Sequence, residues 1–474
     1  MSKVTRILLA IGLILAVATP ALAEFKLNGY YRLMAHGGEV RSGGSLDESG
    51  GFDGNNAKDE KGDSRQMVDQ RLRMQLTYSL NDNVSIVYFG EVDTVWGERD
   101  KNNYYDSANA GADGYSASGG GGRLGADGVN VETKNVYLDL KAGDMAARLG
   151  IQTLADAYQG VVFFDDMAAA NLTYKLGATT LNGFYSKWDE DDNRSDWDDR
   201  DFWGANVSHK FSDNFTAGAS VYFEDDNDSA TASLDEQAIE RFFYGLNADA
   251  RFGSFGVNGF VVYADSEVDN KTGDDVDGEA LAATIKGSMK LDSGDVGLRV
   301  IYISEDDDAK DNNAWRTPVG RYDFVNENLM QFLTDKFVLN YGKERYAMND
   351  AAEEGFGLLG FVLSGNHKLP SDMYLNWGAG YFLAIDDERN DPTAAKPAKG
   401  SQITSSSDYR RGDTLGYEVS ARVGKKFFEK VDVSLNASYA DYGDFYDDTV
   451  LTAAGKVEDP DATYKAYLMV NVPF

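Results

Sequence analysis

The sequence predicts an all-β protein: a transmembrane antiparallel up-and-down β-barrel of about eighteen strands, with short periplasmic turns and long extracellular loops. Three observations predict it. The last residues alternate strictly, with Tyr464, Ala466, Leu468, Val470, Val472 and Phe474 on one face and Lys465, Tyr467, Met469 and Asn471 on the other. Segments of the same period recur along the chain, joined alternately by short and long links. The 27 Tyr, 25 Phe and 50 Gly, against 7 Pro, suit tilted strands, aromatic girdles and glycine-rich loops. One face of each strand would then meet lipid and the other a lumen.

The amino-terminal residues agree with a secreted destination. Lys3 and Arg6 precede an apolar run from Ile7 to Val17, and Thr19-Pro20-Ala21-Leu22-Ala23 ends in a small-x-small site. Residues 1–23 read as a signal peptide. The apolar run falls short of the ~20 residues that a helical span needs. Residues 24–474 read as a single transmembrane barrel domain.

The strands are expected near 25–36, 67–80, 84–96, 131–141, 146–153, 168–176, 181–188, 202–211 and 215–223. They continue near 242–252, 255–263, 281–291, 296–303, 356–367, 373–383, 415–426, 431–439 and 462–474. In the first, Phe25, Leu27, Gly29, Tyr31 and Leu33 share a face; in the second, Val68, Leu72, Met74, Leu76, Tyr78 and Leu80 do. The short links, such as Asn81-Asp82-Asn83, Gly177-Ala178-Thr179 and Gly253-Ser254, carry turn chemistry. Alternation is poorest at 181–188 and 356–367, and losing both would leave sixteen strands. An even count brings both termini to one side of the membrane.

Two long links stand out. Residues 304–354 are long for a barrel loop, hold a possible helical turn at Asn326–Leu333, and are expected to fold into or over the pore. Residues 156–166 contain Val161-Val162-Phe163-Phe164, too apolar for an exposed tip, and are also expected to turn inward. The Gly119–Gly122 run reads as an exposed tip.

The formal charge is −33, which excludes a nucleic-acid binder. Most of the acid falls in long loops, at 189–192, 196–201, 225–228, 274–275 and 305–308. None of these runs has the alternating ligands and closing Glu of a calcium loop. Cys is absent, so disulfides, thiolate metal sites and covalent haem attachment are excluded, and no cofactor or metal is expected.

The strand faces opposite the apolar stripe read as basic. Arg32, Arg71, Arg73, Lys141, Arg148, Lys175, Arg251, Lys286, Arg299 and Arg422 are expected to line the pore. Lys26, Lys134, Lys210, Arg241, Lys290, Lys426 and Lys465 share that register, and the acids there are fewer: Asp69, Glu91, Asp93, Glu132, Asp139, Glu224, Asp249, Glu418 and Asp432. Cross-strand ion pairs would absorb these acids and leave a basic excess. A pore lined by Arg and Lys favours anions.

Several short stretches resemble the alginate-export and related porin families of Gram-negative bacteria. Val68-Asp69-Gln70-Arg71-Leu72-Arg73 matches their arginine-bearing second strand. Arg148-Leu149-Gly150-Ile151-Gln152 and Gly416-Tyr417-Glu418-Val419 resemble two further strands. The resemblance implies a large outer-membrane barrel with an inward arginine set. The terminal Phe474 resembles the assembly signal of such barrels.

The expected function is therefore a porin: a water-filled channel for passive diffusion of small hydrophilic solutes, with a preference for anions. A barrel sheath around a multihaem cytochrome and an acidic-polysaccharide export channel are the alternatives. An enzyme is not expected, because His36, His209 and His367 lack catalytic spacing and His209 falls in the lipid-facing register. The expected partners are outer-membrane lipid and lipopolysaccharide, the barrel-assembly machinery, small solutes, and a second copy of the chain if it oligomerises.

Overall fold

The structure, a computed structural model, describes residues 24–40, 63–96, 131–190, 199–227, 237–270, 275–306, 313–318, 355–385, 412–446, 450–451, 457–458 and 462–474. The signal segment, the Gly119–Gly122 run, the candidate turn at Asn326–Leu333 and much of the acidic loop sequence lie outside the described residues.

Strands β1 (Glu24–Val40), β2 (Asp63–Asn81), β3 (Val84–Val95), β4 (Glu132–Ala142), β5 (Met145–Ala155) and β6 (Phe164–Leu176) follow one another as antiparallel neighbours. So do β7 (Thr179–Asp189), β8 (Arg200–Ser212), β9 (Phe215–Asp226), β10 (Gln237–Phe252), β11 (Phe255–Asn270) and β12 (Val276–Leu291). The series continues through β13 (Gly294–Ile303), β14 (Leu358–Leu369), β15 (Met373–Leu383), β16 (Thr414–Phe427) and β17 (Val431–Tyr442). A two-residue hairpin, β18 (Val450–Leu451) and β19 (Val457–Glu458), precedes β20 (Thr463–Pro473). β20 pairs with β17 on one side and β1 on the other, so the sheet of 18 strands closes on itself. Closure leaves no strand edge unpaired, which hydrocarbon requires.

Both weakly alternating segments are strands, β7 and β14. Several strands, such as the 19 residues of β2, exceed the ~10 a span needs and so project beyond the membrane.

The turns are built from local chemistry. Asn83 N donates to Asn81 Oδ1 at 2.8 Å, and Gly177 takes φ 60 in the tight β6–β7 turn. The β16–β17 turn reaches the same region without glycine, at Phe428 (φ 50) and Glu429 (φ 67).

The outer surface is apolar. Leu27, Ile86, Ile151, Leu172, Val207, Leu246, Ile285, Leu298, Leu363 and Leu435 are all exposed on it. Aromatic side chains border this belt at both ends. At the short-turn end stand Phe25, Phe211, Phe215, Phe252, Phe255 and Phe427; at the other, Trp203, Phe223 and Phe242 stack with centroids 5.4 and 4.3 Å apart. An apolar belt between aromatic girdles matches a bilayer and its two interfaces.

Candidate functional site

The segment joining β5 to β6 does not rise from the barrel but packs against its inner wall. Tyr158, Val161, Val162 and Phe163 have no exposed surface. Asp156 organises it. Its Oδ1 accepts from the N–H of Tyr158 (2.7 Å) and Gly160 (2.8 Å), and its Oδ2 from Val162 (2.6 Å) and Phe163 (2.9 Å). Burial raises the Asp156 carboxyl pKa above its ordinary range, against the pull of these four donors. Ala157 N reaches Tyr222 Oη at 2.9 Å, and Asn247 Nδ2 donates to Ala157 O at 3.3 Å.

Aromatic rings complete the seat. Phe163 lies 5.5, 5.0 and 5.1 Å from Phe184, Phe202 and Tyr222, all inward on β7, β8 and β9. Tyr158 covers Gly245, where an added Cβ would stand 2.5 Å from the Tyr158 ring, so only glycine admits this contact. The sequence assigned Phe164 to the same inward segment, but the structure turns it outward. Phe164 opens β6 and is exposed on the outer face, since period two turns it away from Phe163.

Residues 313–318 pack on the same side. Trp315 is fully buried, 5.9 Å from Phe243 of β10, and Arg200 donates to Pro318 O. Asn313 Oδ1 accepts from Glu279 N at 2.9 Å. Phe356, just before β14, meets Phe445 at 5.1 Å. These side chains join one apolar cluster with Val262, Ile301, Ile303, Leu358, Val362 and Phe382, so inward faces from β5 to β16 carry a hydrophobic lining.

The remaining inner wall is polar. Arg32 stands directly opposite Arg71 across β1 and β2. Arg71 Nε donates to Asp93 Oδ1 at 2.7 Å and its Nη2 to Asp93 Oδ2, and Nη2 also lies 3.5 Å from Glu91. Arg73 pairs with Glu91 and has its guanidinium 5.9 Å from the Tyr30 ring centre. Arg32 Nε is buried without a hydrogen-bond partner. His36, fully buried, meets Asp69 at 2.6 Å.

The other expected pore residues spread around the barrel. Arg148 and Lys141 approach Asp139, each at 4.0 Å, and Lys175 faces Thr180. Arg251 lies 3.5 Å from Asp249, Lys286 faces Arg299 across β12–β13, and Arg422 Nε donates to Asn436 Oδ1 at 2.5 Å. Lys134, expected on the inner register, does not lie there. The irregularity between Phe89 and Gly90 shifts the β3–β4 register, and Lys134 pairs at 2.8 Å with Asp166. Asp166 and its partner Thr153 lie on the outward register with Ile151.

One inner feature was missed from sequence. Asn182 Nδ2 donates to Asn171 Oδ1 (2.6 Å), Asn206 Nδ2 to Asn182 Oδ1 (3.0 Å), and Tyr222 Oη to Asn206 Oδ1 (2.6 Å). This chain of amides crosses β6 to β9 and ends at the hydroxyl that holds Ala157. Its only sequence signal is an Asn in the inward register of successive strands. Outside the lumen, Glu267, Asp269 and Asp275 bring three exposed carboxylates together at the rim, an acidic group that by itself assigns no metal site.

No protein-family model matches the chain, and no curated protein does. Solved structures match over nearly the whole length. Acinetobacter baumannii OccAB1 is 13% identical, with TM-score 0.52 over 96% of this chain and 99% of that one. Pseudomonas aeruginosa OccK1 (OpdK) is 9% identical, with TM-score 0.51 over 95% and 98%. Pseudomonas aeruginosa OccK8 (OprE) is 11% identical, with TM-score 0.50 over 95% and 98%. At such identities the likeness is one of fold. The chain has the closed eighteen-strand fold of Gram-negative outer-membrane porins, and its apolar belt and girdles are those of an integral outer-membrane barrel.

Proposed function

We propose that the protein is a porin, a water-filled channel through which small hydrophilic solutes diffuse across the outer membrane, with a modest preference for anions. One observation carries the reading. The inner register of a barrel this large holds more Lys and Arg than Asp and Glu among the described residues, with Arg32 set against Arg71. Eighteen strands enclose room for an aqueous lumen, whereas eight are filled by side chains. Arg32, Arg71, Arg73, Lys141, Arg148, Lys175, Arg251, Lys286, Arg299 and Arg422 are the proposed pore residues, and the guanidinium groups of the arginines among them stay charged at physiological pH. Asp93, Glu91 and Asp139 neutralise part of this wall, which is why the preference is modest.

Other readings find less support. The segments packed inside the barrel between β5 and β16 reduce the space a cytochrome would need. The three histidines do not build a catalytic site: His36 is sequestered with Asp69, His209 bonds Thr179 on the outer face, and His367 meets Ser293 at a turn. Planar-bilayer recording tests the proposal. It predicts discrete conductance steps and a reversal potential of anionic sign across a salt gradient. An absence of steps from folded protein would refute the channel.

A further inference from the structure

Gln159 sits at the turn of the inward segment with φ 62, in the left-handed region that a non-glycine residue rarely adopts. Its neighbours Tyr158 and Gly160 are buried, while Gln159 is exposed. A strained position whose side chain alone leaves a packed segment suggests a function for that side chain. The segment holds it there firmly through the four bonds to Asp156 and the Tyr158 ring over Gly245.

The space beside Gln159 is a cavity of about 360 Å³ on the short-turn side of the segment. Its wall carries Thr216, Asn258, Asp249, Lys286 and Arg299, with Phe260 as an apolar surface. Asn258 faces Asp249 on one side and Lys286 on the other, and Lys286 faces Arg299, so four neighbouring strands present these groups in one row. Carboxamides both donate and accept, a carboxylate accepts, and Lys and Arg donate. A single charge would use only part of this set. A ring bearing several hydroxyls, each both donor and acceptor, uses all of it, with its apolar face against Phe260.

We infer that this cavity is a binding subsite for a hexose-sized polyhydroxylated solute, with Gln159 as a specificity-determining residue. The inference rests on the channel reading and adds the class of solute that the channel selects.

The test is single-channel recording with the full-length barrel, adding D-glucose or a poly(ethylene glycol) of similar size. Both probes are uncharged, so anion preference does not enter. Glucose is expected to lower conductance saturably, and the glycol only in proportion to viscosity. Gln159→Gly relieves the backbone strain, so the barrel should withstand heat at least as well as the parent. Its half-saturating glucose concentration should nevertheless rise roughly tenfold, about one lost hydrogen bond. Asn258→Ala should act in the same direction. Conductance steps with identical responses to glucose and glycol, or unchanged half-saturation in both variants, would overturn the inference and leave the channel standing. Absence of steps in the parent protein would remove both.

Discussion

Gly29 and Phe474 exchange two backbone hydrogen bonds, Gly29 N to Phe474 O at 3.1 Å and Phe474 N to Gly29 O at 3.0 Å. The Phe474 ring lies over the glycine, where an added Cβ would stand 2.8 Å from Cζ. The last residue of the chain thus closes the seam between the first strand and the last.

Removing Phe474, or replacing it with Asp, should impair barrel assembly strongly. Outward charge costs ~2–4 kcal/mol at mid-membrane and less near the interface. Gly29→Val should act alike, because its side chain would also meet Arg73 O, 2.1 Å from the Cβ position. Lys26→Gln is the fitting control, since Lys26 is exposed, whereas Lys465 is buried. Heat-modifiable gel mobility reads the outcome. Normal insertion of the Phe474 deletion would count against an assembly role.

Asp156→Ala should release the inward segment from the wall. Four backbone N–H groups would lose their acceptor in a site shielded from water, with a cost of ~1–3 kcal/mol for each group left unsatisfied. Single-channel conductance should rise and become noisier. A trace identical to the parent's would place the segment outside the conduction path.

Trp315→Ala should lower barrel stability by about 3–5 kcal/mol, the usual range for an aromatic ring deleted from a packed interior. The ring is fully buried against Phe243, and its loss also loosens the strap that Arg200 fastens at Pro318. Thermal unfolding in detergent measures the change. An unaltered transition would mean that residues 313–318 do not hold the inner cluster together.

Arg32→Glu should shift selectivity toward cations without unfolding the barrel. The new carboxylate would face Arg71 directly, converting a like-charge contact into an ion pair. The change in reversal potential should be largest at low salt and fade near 1 M, where the screening length falls to ~3 Å. Selectivity identical to the parent at low salt would show that other charges, such as the acidic loops, govern ion entry.

The two strands hardest to read from sequence have a common cause. β14 turns Leu358 and Val362 toward the apolar cluster while Phe361 and Leu363 face outward, so both faces are apolar. β7 does the same with Phe184 inward and Leu181 and Tyr185 outward. Alternation fades wherever a strand packs on both sides. The clue to that packing was the apolar run at Val161 to Phe163. The inward link ends at Phe163 rather than Asp166, because composition does not mark where a loop becomes a strand.

Alternation by itself pointed to the barrel, to about eighteen strands with sixteen left open, and to the face on which each regular strand carries its charges, because a pleated strand has only two sides and charge on the lipid face is costly at mid-membrane. Tertiary structure decided which charges meet. Lys134 left the inner register through an irregularity that no residue type announces, and Arg71 acquired Asp93 while Arg32 faces Arg71 on one side and Asn471 on the other. The amide chain from Asn171 to Tyr222, and the seat of Gln159 above Lys286 and Arg299, likewise depend on strands distant in sequence coming into register. Period two is a local property of the backbone, but hydrogen-bond partners, cavities and fields are set by the closed ladder as a whole.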